Sequence, residues 1–282
     1  MSAGTLERGQ GSLVGVGRIR LRYRSWEAPQ PRTGILLVHG LAEHGGRYET
    51  FAESLARGGC SVFALDLRGH GRSDGRRGHT ASFDLFLQDL ERFRREIQGA
   101  QRVDGPLFLI GHSMGGLITL RYLQEFQPPV RGAVIVSPWL ATAVPVPRWK
   151  EWLARILEHV LPAMPFRTTI RPEDLCRNSA VVAAYREDPL VHHTITPRLY
   201  AEAGRAREIV RRRTDRIRTP LLFLIAGEDR IVNSGSAERF ARTIDGDVTV
   251  CTFPGRYHEL LFEPDREPVL KTLRGWIADR AA

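Results

Sequence analysis

The chain has 282 residues, enough for one sizeable core with an insertion, and its 42% apolar and 26% charged content is that of a water-soluble globular protein. Its formal charge of +9 is carried almost wholly by arginine, Lys150 and Lys271 being the only lysines. The arginines are dispersed, with one run at Arg211-Arg212-Arg213, so nucleic-acid binding is not expected; most of the charge reads as solvated surface, with a weak attraction to anionic membranes. Cys60, Cys176 and Cys251 form no C-x-x-C, so neither a disulfide framework nor a metal site is expected, and a reducing cytoplasm fits best. The start, MSAGTLERGQGS, lacks an apolar signal-like run, and no stretch reaches the ~18 apolar residues of a membrane span.

In chain order, Leu13 to Val16 and Ile19 to Trp26 predict a half-exposed antiparallel hairpin around Gly17. Ile35 to Gly40, Ser61 to Leu67, Leu107 to Ile110 and Ala133 to Ser137 are short apolar runs suited to buried strands. Helical patterns lie between them, at Tyr48 to Ala56, Phe83 to Ile97 and Gly116 to Phe126. Such alternation predicts a mostly parallel sheet with helices on both faces. The rhythm breaks between Pro138 and about Arg213. There Trp149, Trp152, Leu153, Ile156, Leu157, Val160, Leu161 and Met164 share one helical face, opposite Lys150, Glu151, Arg155, Glu158 and His159. That stripe either packs on its own domain or forms a mobile lid. Regular α/β order resumes with strands at Pro220 to Ala226 and Val248 to Phe253 and helices at Gly235 to Thr243 and Pro268 to Asp279. The expected organisation is a core of residues 1–138 and 214–282 and an inserted cap of residues 139–213.

Gly111-His112-Ser113-Met114-Gly115 is G-x-S-x-G between a strand and a helix, the spacing of a nucleophile elbow. A serine hydroxyl needs a base, and the base needs a carboxylate to orient it; in this architecture they follow in the order Ser, Asp/Glu, His. His258 is the one histidine after the last strand, and Asp229 stands just past LLFLIAG, whereas Asp188, Asp245 and Asp247 lack a preceding buried strand. The oxyanion would be held by the N–H groups of Met114 and Leu41. His39 and His44 lack the H-E-x-x-H pattern, and metal binding is not expected.

HGLAEHGGRYE (39–49), DLRGHGRSDGRRG (66–78), GHSMGG (111–116), AYREDPLVHH (184–193), GEDRIV (227–232) and YHELLFEP (257–264) together resemble the monoacylglycerol lipases of the serine α/β-hydrolase superfamily. The resemblance runs from about Arg20 to the end. It implies a helical cap, interfacial lipid substrates, no cofactor, and hydrolysis of monoacylglycerols through an acyl-enzyme. It also implies substrate contacts at Glu43, Arg47, His112 and Tyr185; Glu43 and Arg47 could equally pair to hold their loop, and Tyr185 could be cap core. Trp149, Trp152, Ile156 and Val160 are expected to line an acyl channel or rest on lipid. Leu41 departs from the small residue usual at its position, though only its backbone N–H is needed. The alternatives are a lysophospholipase or broader carboxylesterase with the same triad, and a non-catalytic lipid-binding protein of this fold. A cytoplasmic protein in transient contact with membrane or lipid surfaces is expected.

Overall fold

The computed structural model describes residues 6–168 and 170–281, without the side chains of residues 148 and 150. The first five residues of the start lacking an apolar run, and the Lys150 side chain expected on the polar face of its helix, thus lie outside the described residues. Strands β1 (Glu7–Val14), β2 (Arg20–Glu27), β3 (Thr33–Val38), β4 (Cys60–Leu65), β5 (Leu107–His112), β6 (Gly132–Val136), β9 (Leu221–Ala226) and β10 (Val248–Phe253) form one sheet in the order β1-β2-β4-β3-β5-β6-β9-β10. The first two form an antiparallel hairpin laid antiparallel on β4, and all further neighbours are parallel.

The central strands are buried almost throughout and mostly apolar because both sheet faces are covered. Leu36 and Val38 of β3 face one packed layer, made with Phe86, Leu90, Leu117 and Phe240. Ile35 and Leu37 face the other, with Phe51, Leu55, Leu273 and Trp276. Helices α2 (Asp84–Gly99), α3 (Met114–Phe126) and α7 (Ser234–Ala241) supply the first layer; α1 (Glu49–Ala56) and α8 (Glu267–Ala281) supply the second. The chain runs from β3 outward to β4 and then back across β3 to β5, so strand order reverses there. The crevice beyond the carboxyl ends of β3 and β5 is where such folds bind ligands.

Two elements differ from expectation. Strand β1 begins six residues earlier than Leu13, because Gly9 and Gly11 pair in full register with Ser25 and Tyr23. Among the described residues between β6 and β9 are three α-helices, α4 (Arg148–Val160), α5 (Ser179–Glu187) and α6 (Pro197–Arg212), with a short ribbon of two residues from each of β7 (Phe166–Arg167) and β8 (Thr194–Ile195). Helix α6 is no loose part of a cap: Leu199, Ala203, Ala206 and Val210 are buried in the same layer as α3.

Helix α4 is turned opposite to a packed amphipathic helix. Glu158, expected among its solvent-facing polar residues, is buried and accepts hydrogen bonds from Arg205 of α6, the nearer at 2.9 Å. The Arg205 hydrogen bonds hold its carboxyl below the usual carboxylate range, more than offsetting the opposing effect of burial. The apolar stripe faces outward instead, with Trp149, Trp152 and Val160 each more than 60% exposed. Leu153 and Ile156 are less exposed and Leu157 is half-buried, so the outward face is centred on Trp152 and Val160.

Candidate active site

Strand β5 ends at His112, and Ser113 follows with φ +55° and ψ −116° before α3 begins at Met114. A non-glycine residue in that region costs on the order of 1–3 kcal/mol. Three backbone hydrogen bonds hold it there. Ser113 N–H donates to Val136 O at 3.0 Å, and its carbonyl accepts from Trp139 N–H at 3.0 Å and Leu117 N–H at 3.2 Å. The turn also requires Gly115, where a Cβ would lie 2.1 Å from Val38 O. The helix is thus pressed against β3, and the strand carrying Gly40-Leu41 and the elbow carrying Ser113 become one rigid unit. Met114 heads the helix, so its N–H has no partner a turn earlier inside it and faces the positive end of the dipole. Leu41 lies across from it: a Cβ on the preceding Gly40 would come within 3.2 Å of Ser113 Cβ.

His258 Nδ1 and Asp229 Oδ2 are 2.7 Å apart, with the two side chains 3% and 1% exposed. The other carboxylate oxygen of Asp229 accepts from Ile231 N–H at 2.8 Å and Val232 N–H at 2.9 Å, so the group is fixed on both sides. With Nδ1–H donated to Asp229, Nε2 is left as the basic nitrogen; this tautomer is the one the hydrogen-bond network selects. Burial alone would lower the His258 pKa, but the Asp229 charge and hydrogen bond, helped by Glu259 and Glu43, raise it above the ordinary histidine value. The His258 ring lies 4.8 Å from that of His112, the neighbour of Ser113. Two of the rival carboxylates are engaged elsewhere: Asp188 with His44 at 2.8 Å and Asp247 with Arg280 at 2.7 Å. His39 is likewise occupied, with Nδ1 2.7 Å from Gly40 O and Nε2 accepting from Leu67 N–H at 3.0 Å.

A cavity of about 560 Å³ opens onto Ser113, walled by Leu41, Trp139, Ile195, Tyr200 and Val232. Of the expected site residues, Ser113 and Leu41 border it, while Met114 and His258 are buried and Asp229 is half-buried with its side chain covered. Glu43, Arg47, His112 and Tyr185 do not border it among the described residues; they hold one another. Glu43 accepts from Gly40 N–H at 2.7 Å, Tyr48 Oη at 2.9 Å and Arg47 Nη1 at 2.6 Å, and lies 3.2 Å from His112 Nδ1. Arg47 also makes a two-pronged pair with Glu259 at 2.6 and 2.9 Å and lies over the Tyr185 ring at 4.6 Å. Burial pushes the Glu43 carboxyl up, but Arg47 and then His112 outweigh it and hold it well below the usual range. With its oxygens already satisfied, Glu43 is placed to brace the Gly40-Leu41 loop instead of reaching a ligand. Glu259 was legible only as the neighbour of His258. Trp149, Trp152, Ile156 and Val160 also lie outside the lining, whose apolar wall comes partly from Val144 to Pro147 before α4.

Against known proteins, the chain is 33% identical over 281 residues to the monoacylglycerol lipase of Mycolicibacterium smegmatis, covering 96% of this chain and 97% of that one. The chain belongs to the monoacylglycerol lipase family. A model of the broader Hydrolase_4 family, described as serine aminopeptidase, S33, matches residues 29–265. The phospholipase YtpA of Bacillus subtilis is 29% identical over 89% of this chain and 97% of its own length. The crystal structure of the Paleococcus ferrophilus monoacylglycerol lipase superposes with a TM-score of 0.83 at 30% identity, covering 98% of this chain and 100% of that one. The family match spans the elbow, the Asp229–His258 pair and the segment between β6 and β9 alike.

Proposed function

We propose that the protein hydrolyses monoacylglycerols to fatty acid and glycerol through an acyl-enzyme. The observation that carries this reading is an apolar cavity opening on a strained serine beside a buried Asp229–His258 pair. Ser113 Oγ attacks the ester carbonyl, His258 Nε2 takes its proton and returns it to the leaving glycerol, and Asp229 keeps the imidazole in that tautomer. Met114 and Leu41 N–H groups hold the tetrahedral oxyanion, and water then repeats the cycle on the acyl-enzyme. Relatives named monoacylglycerol lipase support the substrate. A peptide amine, as the wider family description suggests, needs an unpaired carboxylate in the cavity. Asp174, the one carboxylate bordering it among the described residues, is already paired with Arg171 and Arg230. Residues 139–213 form the cap in this reading, with α6 as its fixed base and α4 as its outer element. A fluorophosphonate probe should label Ser113 alone, and monoolein should be turned over. An unlabelled protein would point to a non-catalytic lipid binder.

The raised pKa of His258 gives the pH dependence its sign. The base must be neutral to act, so kcat/KM should rise with pH through a value above the ordinary ~6.5 of histidine. The protonated form is the one Asp229 stabilises, so this pair's contribution to folding is complete below ~6.5 and is lost as pH rises through the folded pKa. A rate profile flat from pH 5 to 8, with acylation shown to be limiting, would remove His258 from the role.

The outward stripe of α4 is read as the contact with membrane or lipid surfaces, which the cytoplasmic enzyme meets transiently. Entry of an acyl chain is driven by about 0.8 kcal/mol per buried CH₂ once the mouth sits on lipid. Replacing Trp152 and Ile156 together by serine should cut hydrolysis of monoolein in vesicles about tenfold and leave p-nitrophenyl acetate within twofold. Both side chains are exposed, so folding should be unaffected. Equal losses on the two substrates would assign the stripe a packing role.

A further inference from the structure

The rim of the cavity has a charge that neutral glycerol does not use. Besides its apolar wall the cavity is bordered, among the described residues, by Arg167, Arg171 and Arg230 against the one carboxylate of Asp174. Asp174 lies 3.1 Å from Arg171 Nε and 3.5 Å from Arg230 Nη1, so one negative charge is shared by two cations. Arg167, on the β7–β8 ribbon, makes no ion pair among the described residues, and the rim carries two net positive charges. Their place relative to the chemistry is set by the chain. Arg230 follows Asp229 directly, and its guanidinium lies 4.1 Å from the centroid of the Tyr257 ring, the residue before His258. Stacking on the ring fixes the cation without neutralising it.

His258 delivers a proton to the leaving alcohol, so the leaving group lies on the His258 side of the tetrahedral centre. Of the three cations, Arg230 adjoins Asp229 in sequence and Tyr257 in space, and Arg171 is joined to it through Asp174. An alcohol carrying a phosphate would there meet guanidinium donors that match its oxygens, while a bare glycerol would meet cations with nothing to pair.

We infer that the preferred substrates are single-chain glycerol esters whose leaving alcohol carries an anionic phosphate, with Arg167, Arg171 and Arg230 receiving that group. This rests on the ester-hydrolase reading above. Cleavage is at the acyl C–O bond: water supplies the hydroxyl of the fatty acid, the proton goes through His258 to the glycerol oxygen, and the phosphate is untouched. The arginines are binding and specificity residues, largely exposed and steering through solvent, so each contributes modestly.

The test uses 1-oleoyl lysophosphatidylglycerol and 1-monoolein in micelles of one neutral detergent, with the full chain as wild type and as the Arg167→Gln, Arg171→Gln double variant. Arg230 is left in place because it adjoins Asp229. Wild type should show the higher kcat/KM on lysophosphatidylglycerol, and in the double variant the ratio of the two constants should fall about tenfold, through KM. Raising salt from 50 to 500 mM should lower the wild-type ratio and leave the variant's ratio nearly constant. Turnover of monoolein without lysophosphatidylglycerol, or a ratio unmoved by the substitutions, overturns this inference alone. Turnover of neither lipid by a protein whose Ser113 reacts with fluorophosphonate overturns the glycerol-ester reading and takes this one with it.

Discussion

Asp229→Asn is expected to lower turnover about ten-thousand-fold, with the fold intact, against a loss of roughly a million-fold on Ser113→Ala or His258→Ala. The reason lies in which oxygen the amide replaces. Oδ1 accepts two backbone N–H groups, from Ile231 and Val232, so the asparagine carbonyl takes that position and its NH₂ turns to His258. Nδ1 must then accept, the proton moves to Nε2, and the imidazole can no longer take the proton of Ser113. The geometry survives while the tautomer is wrong. The measurement is kcat on a soluble ester, with circular dichroism to verify folding. Activity within tenfold of wild type would mean that another carboxylate serves His258.

Arg47→Met should have the largest effect on stability, a loss of about 3–5 kcal/mol, because it leaves two buried carboxylates without their common cation. Glu43 and Glu259 are 3% and 2% exposed in their side chains and share Arg47 between them. Arg47→Lys should recover only part of the loss, since an ammonium cannot make the two-pronged pair with Glu259 and stack over Tyr185 and Phe262 at once. Urea unfolding midpoints of the three proteins decide this. A loss below about 1 kcal/mol for Arg47→Met would show that water reaches the carboxylates and that the cluster is not what holds the Gly40-Leu41 loop.

Ser113 and Asp229 were legible because each follows a strand buried on both faces, β5 and β9, whereas His258 follows the half-exposed edge strand β10 and was found by its order in the chain. Strands buried on both faces are continuous apolar runs, and their carboxyl ends are easy to find. The same rule located β3, β4, β5, β6 and β9 to within two residues or so. The segment between β6 and β9 was harder for a physical reason. Helix α6 buries its face with Leu199, Ala203, Ala206 and Val210, mostly small side chains between arginines and glutamates, so no stripe of large apolar residues announces it. Helix α4 left two readings open, packing or a lid: its stripe is strong, but its seat on α6 is made by Glu158 and Arg205, and the stripe points outward. Periodicity reports that a helix has two faces. It does not say which of them the protein covers. The resemblance left Glu43, Arg47, His112 and Tyr185 between substrate contact and a supporting role, because it carries residue identity and not the contacts these side chains make with one another.

The burial of α6 in the same layer as α3 has a consequence for modularity. An exchange of residues 139–213 between relatives would transplant part of the foundation with the superstructure: Leu199, Ala203, Ala206 and Val210 would have to match a foreign α3 and sheet face. The portable piece is shorter. It starts after Trp139 and Leu140, which are packed in that layer, and stops before Thr196, whose side chain caps α6 and whose N–H donates to Gly78 O. Substrate range in this architecture can thus drift through α4, the ribbon and α5 while the frame under them stays put.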